Sequence, residues 1–169
     1  MLLELMQRNA DEIVGRWLED GISTYAPEAV PALTRQRDRF ANPLGHSLRV
    51  GTRAIFDALV RHGDDDAMRS ALDEIVRMRA VQQLSPSEAL GFLFRLKDHL
   101  RAELGSELEY PGVRRQLTEM DRRIDEVALV AFDLYVDYRE RLAEVRISEI
   151  KRTTPWFVGK MALVGEEGG

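Results

Sequence analysis

The sequence predicts an all-α protein: a single five-helix bundle with a long C-terminal helix and an irregular tail. Three observations carry this. Apolar residues recur every three or four positions along most of the 169 residues. No stretch alternates with period two over a useful length, so strand signals are missing. Helix starts are announced by a polar cap followed by proline, at Asn42-Pro43 and at Ser85-Pro86.

The first helix is expected from residue 2 to about 24, with Leu3, Met6, Ala10, Ile13, Val14 and Trp17 on one face. "APEAVPALTRQRDRF" carries two prolines and reads as a connector with room for a short helical turn. In "NPLGHSL", Asn42 caps free backbone N–H groups and Pro43 suits the first helical position. Leu48, Ile55 and Leu59 line the inner face of that second helix, which ends at His62-Gly63. The third, "DDDAMRSALDEIVRMRAVQQ", places three aspartates at its positive N-terminal dipole. The fourth opens on "SPSE", where Ser85 caps and Glu88 completes a capping box. Its inward stripe is Ala89, Leu93, Leu96, Leu100 and Leu104. After "GSELEYPG" the longest helix spans about Val113 to Glu149. Such a set forms a bundle or a globin-like stack. The helical domain is assigned to residues 1–149, and residues 150–169 to a C-terminal tail.

Composition narrows the function classes. Hydrophobic residues make up 44% and charged residues 31%, ordinary for a soluble globular chain. A net charge of -5 argues against a nucleic-acid surface. With no cysteine, thiolate, zinc-thiolate and Fe–S chemistry are excluded. "MLLELMQRNADEI" lacks the basic region of a signal peptide, and no apolar run approaches the roughly 20 residues that span a bilayer. A cytoplasmic location without membrane insertion is expected.

Sites are harder to find. The three histidines are His46, His62 and His99, and no two share the spacing that puts ligands on one helix face. His99 falls about 120° from its helix's apolar stripe and is expected to face water. His46 and His62 remain the weak candidates for a metal or haem; no metal and no cofactor is the expectation. Hydrolase elbows, Walker-type loops and zinc-protease motifs do not occur.

Polarity and core geometry disagree at one place. Met68, Leu72 and Ile75 define the inner direction of the third helix, and Arg79 lies within about 20° of it, flanked by Gln82 and Gln83. A buried guanidinium is costly unless paired. Either the helix end leaves the core there and Arg79 bonds carbonyls near the Ser85 corner, or the three residues line a recess for a small anion or metabolite. On the longest helix, Leu129, Phe132 and Val136 form a second apolar line off the main stripe. It is either covered by the tail or is the seam of a homodimer, which a two-fold axis builds from the same patch on both chains. Trp156 and Phe157, flanked by Lys151, Arg152 and Lys160, either dock to a partner or pack the tail onto its own domain.

"RFANPLGHSLRVGTRAIFDAL" and "ALDEIVRMRAVQQLSPSEALGFLFRLK" resemble the N-terminal domain of the RsbT co-antagonist proteins, the RsbR/RsbRD group of bacterial stress signalling. The resemblance implies a helical sensory input domain, in the RsbR type a haem-free globin-like dimer. RsbR-like proteins continue into a phosphorylated STAS domain, whereas about 20 residues follow the long helix here. Thr153 and Thr154 therefore inherit no phosphorylation role, and a stand-alone sensor or adaptor is expected. It would act without catalysis through a signalling protein partner. A globin-like haem- or metabolite-binding protein is the second reading, and an enzyme with a cryptic site the third.

Overall fold

The computed structural model describes residues 1–61, 65–82 and 84–165, with side chains through Thr154. Its regular elements are all helical: α1 (Leu2–Arg8), α2 (Ala10–Ser23), α3 (Val30–Arg35), α4 (Pro43–Arg61), α5 (Asp65–Val81), α6 (Pro86–Leu104) and α7 (Pro111–Gly165). A short 3-10 turn, Gly105–Glu109, joins the last two. Gly105 sits at φ 40°, a left-handed conformation that glycine adopts without a Cβ penalty.

The expected five helices are thus seven among the described residues. The first one divides at Asn9, whose φ of -102° and ψ of 16° leave the helical region. Asparagine competes for backbone bonds and favours such breaks. Bonds from Asn9 N to Leu5 O and from Ile13 N to Asn9 O still bridge it. The apolar face carries across, with Leu2 rather than Leu3 fully buried alongside Met6, Ala10, Ile13, Val14 and Trp17. The connector contains α3, with Pro31 in its first turn, where the missing N–H costs nothing.

The tail expected to be irregular is helix as well. Pro155 removes a backbone donor, yet the chain stays helical to Gly165. Just before it, the Thr153 hydroxyl donates to the Glu149 carbonyl (3.0 Å) and the Thr154 hydroxyl to that of Ile150 (2.7 Å). Residue 149 is therefore mid-helix.

The five long helices close a ring of neighbours: α2 packs on α4, α4 on α5, α5 on α7, α7 on α6, and α6 back on α2. Trp17 shows how the ring is tied. It is fully buried, stacks on Phe92 with ring centroids 5.9 Å apart, and donates from Nε1 to the Phe92 carbonyl at 2.8 Å. An indole is buried at little cost only when its N–H finds an acceptor.

The "NPLGH" turn joins α3 to α4. Asn42 Oδ1 accepts from Gly45 N (2.9 Å), while Nδ2 donates to the Leu33 (3.0 Å) and Gln36 (2.9 Å) carbonyls at the end of α3. One side chain therefore satisfies both helix ends. Gly45 is required by proximity: a Cβ there would lie 2.2 Å from Asn42 Nδ2 and 2.6 Å from the Leu33 carbonyl.

Candidate functional site

Arg79 lies in the last turn of α5, in line with the apolar direction of that helix, and has no exposed surface. Its Nη1 donates to the carbonyls of Glu88 (3.2 Å) and Ala89 (3.0 Å) in the first turn of α6. Its Nη2 donates to the Gly21 carbonyl at 2.5 Å, near the C-terminus of α2, where helix carbonyls lack intrahelical partners and the dipole is negative. The guanidinium carbon stands 4.5 Å from the Phe92 ring centroid and 5.2 Å from that of Tyr25, so two aromatic faces take up part of the charge.

Burial dominates the electrostatics. It pulls the Arg79 guanidinium below its usual range and pushes the Tyr25 phenol up, the nearby cation only partly offsetting the latter. Arg79 Nε and the Tyr25 hydroxyl have no hydrogen-bond partner among the described residues. Of the two alternatives raised by the sequence, carbonyl binding near the Ser85 corner matches this geometry. Gln82 is exposed while Arg79 points inward. Gln83 lies outside the described residues. Arg79 clamps three helices.

The second apolar line of α7 is open. Leu129 is 65% and Phe132 45% exposed, and Val136 is half-buried. Sequence reasoning missed the contribution of α6: Pro86, Leu90, Gly91 and Phe94 form the other wall of a groove of about 400 Å³ against Ala128, Leu129 and Phe132. Phe94, 48% exposed, stands one helical turn from Leu90, a spacing that could have revealed the second face. A Cβ added at Gly91 would meet nothing within 4 Å. Farther along α7, Val145, Ile147 and Ile150 are exposed. The side chains of Trp156 and Phe157 lie outside the described residues.

The histidines are scattered. His99 does not face water as expected: its Nε2 is 2.6 Å from Asp20 Oδ2, and its side chain is only 17% exposed against α2. Asp20, in the penultimate turn of α2, supplies a partner that the helix projection of α6 does not show. His46 is half-buried in the first turn of α4, and His62 lies outside the described residues. Among the described residues no three His, Cys, Asp or Glu side chains gather as a metal site.

Comparison with protein families finds a match to the RsbT co-antagonist protein rsbRD N-terminal domain over residues 11–150. The chain belongs to this family. Neither the curated proteins nor the solved structures give a match. The match covers the ring of long helices, from α2 to the middle of α7, and places the chain in stress signalling. The two stretches that carried the resemblance have structural roles in this RsbRD N-terminal domain. "NPLGH" locks α3 to α4 through Asn42 and Gly45, and the Arg79–Glu88 corner locks α5 to α6 and α2. Among the described residues of the RsbRD domain, no helix is long and apolar enough to cross a membrane.

Proposed function

We propose that this RsbRD N-terminal domain is a cytoplasmic, non-catalytic sensory or adaptor domain, globin-like in its helix stack. It works as a homodimer and signals by contact with a protein partner. The observation that carries this is α7. Among the described side chains the buried ones end at Tyr135 and the partly buried ones at Leu142, yet the helix runs on to Gly165, about 35 Å farther than Leu142. Leu129, Val136, Ala143 and Ile150 recur every seven residues along it, with Phe132 and Ile147 between them. In sequence, Phe157 and Val164 fall on the next two repeats. A seven-residue apolar repeat on a helix that lacks an internal partner suits pairing with a second helix. Two copies related by a two-fold axis would bury it on both chains. Such an arrangement leaves the helix pair beyond the bundle as the element that a signalling partner reads.

Sedimentation equilibrium tests this. The wild type should sediment as a dimer at micromolar concentration, and the double variant Leu129→Asp/Phe132→Asp as a folded monomer with unchanged helical circular dichroism. A monomeric wild type removes the reading.

A further inference from the structure

On the opposite side of the ring, α2, α3 and α4 enclose an open cavity of about 470 Å³. Its floor is apolar, from Leu18 and Ile22 on α2 and Val30 on α3, and Arg49 of α4 lies at its edge. The Arg49 side chain is half-buried and makes no hydrogen bond or ion pair among the described residues. The other half-buried basic side chains are engaged: Lys97 with Asp125 at 2.6 Å, Arg123 with the Leu59 carbonyl at 2.5 Å, and Arg139 with the Ala80 carbonyl at 3.2 Å. An unpaired guanidinium at the edge of an apolar cavity has its N–H donors free to receive an anion.

A second observation points to the same space. Gly15 lies mid-helix in α2 and lines the cavity, and a Cβ added there would meet nothing within 4 Å. As at Gly91, no described neighbour requires glycine at this position, although it costs the helix about 1 kcal/mol against alanine. Gly45 and Gly51, by contrast, are held by neighbours at 2.2 and 2.5 Å. The bare backbone at Gly15 widens the cavity where an occupant would cross α2.

The polar lining sets the charge of that occupant. The Ser23 and Thr34 hydroxyls already donate to the Asp20 and Val30 carbonyls, which leaves Arg49 as the free donor. Glu19, also on the lining, repels a dianion about twice as strongly as a monoanion. A single guanidinium holds one carboxylate by two parallel N–H···O bonds.

We infer that this cavity binds a monocarboxylate with an apolar body, its carboxylate on Arg49 and its hydrocarbon over Leu18, Ile22 and Val30, crossing the gap at Gly15. This deepens the sensory reading by naming the input, and rests on that reading only for its consequence in signalling.

Octanoate titrated into the full chain, followed by calorimetry and by methyl and amide NMR shifts, tests the site. Saturable binding is expected, with shifts confined to Gly15, Leu18, Ile22 and Val30. Affinity should fall at least about tenfold in Arg49→Gln and for octanol in place of octanoate, as loss of a charge-assisted bond implies. Gly15→Leu should abolish binding while circular dichroism stays unchanged. Equal affinity in Arg49→Gln, shifts centred on Leu90 and Phe94, or no saturation in the millimolar range each overturn the proposal. If octanoate binds through Arg49 without altering self-association or partner contact, the site stands and the sensory reading fails. If it does not bind while the dimer persists, the site fails alone.

Discussion

At the scale of single residues, Arg79 is the most consequential side chain. Its charge has no carboxylate partner and is held by three carbonyls and two rings. Arg79→Ala removes the donor to the Gly21 carbonyl at the end of α2 and opens a cavity, and should cost about 3 kcal/mol in urea unfolding. Arg79→Met should cost less, because it fills the volume and removes the desolvation of a buried ion. Tyr25 supplies a pH test. Its phenol is pushed up by burial, so the unfolded state ionises first and stability falls as pH rises above about 10. Tyr25→Phe should flatten that alkaline loss in pH-dependent melting. A glycine pair tests the packing argument: Gly45→Ala should destabilise by about 2 kcal/mol through its clash with Asn42. Gly15→Ala should stabilise by up to about 1 kcal/mol, because a Cβ there meets open space.

At the scale of elements, capping explains where the helices begin. The Ser85 hydroxyl accepts from Glu88 N at 3.3 Å, and the Glu88 carboxylate accepts from Ser85 N at 2.8 Å, so α6 starts with a complete capping box. Ser85→Ala should cost about 1 kcal/mol in thermal or urea unfolding. The Glu88 carboxyl is held below its usual range, chiefly by the Ser85 backbone N–H and then by the Ser85 hydroxyl. A depressed carboxyl contributes stability above its unfolded pKa of about 4 and loses it as pH falls through the folded value. The stability gap between wild type and Glu88→Gln should therefore close at acid pH. The caps at Asn42 and Ser85 were legible because each pattern lies within four residues. The break at Asn9 was not, since the apolar face continues across it. The helix through Pro155 is not legible because the bundle-facing apolar pattern is lost after residue 149, while threonine hydroxyls bond carbonyls inside the helix.

At the scale of the whole molecule, the ring of long helices and the projecting end of α7 are separable parts. Val145, Ile147 and Ile150 are exposed and bury nothing against the bundle. Removing residues 147–169 should therefore shift the bundle's melting temperature by less than about 2 °C in calorimetry, since exposed positions contribute little, while weakening self-association in sedimentation. The sequence by itself determined the helical class, the start of α4 and of α6, and the anomaly at Arg79, because period and capping are properties of neighbouring residues. It also exposed the apolar line of Leu129, Phe132 and Val136. What those features meet depends on how the helices close into the ring. Arg79 reaches Gly21 across 58 residues, Asp20 reaches His99 across 79, and the groove beside Leu129 is completed by Gly91 and Phe94 of another helix. A helix's own periodicity says which face turns inward; which distant side chains await it is decided by how the ring closes.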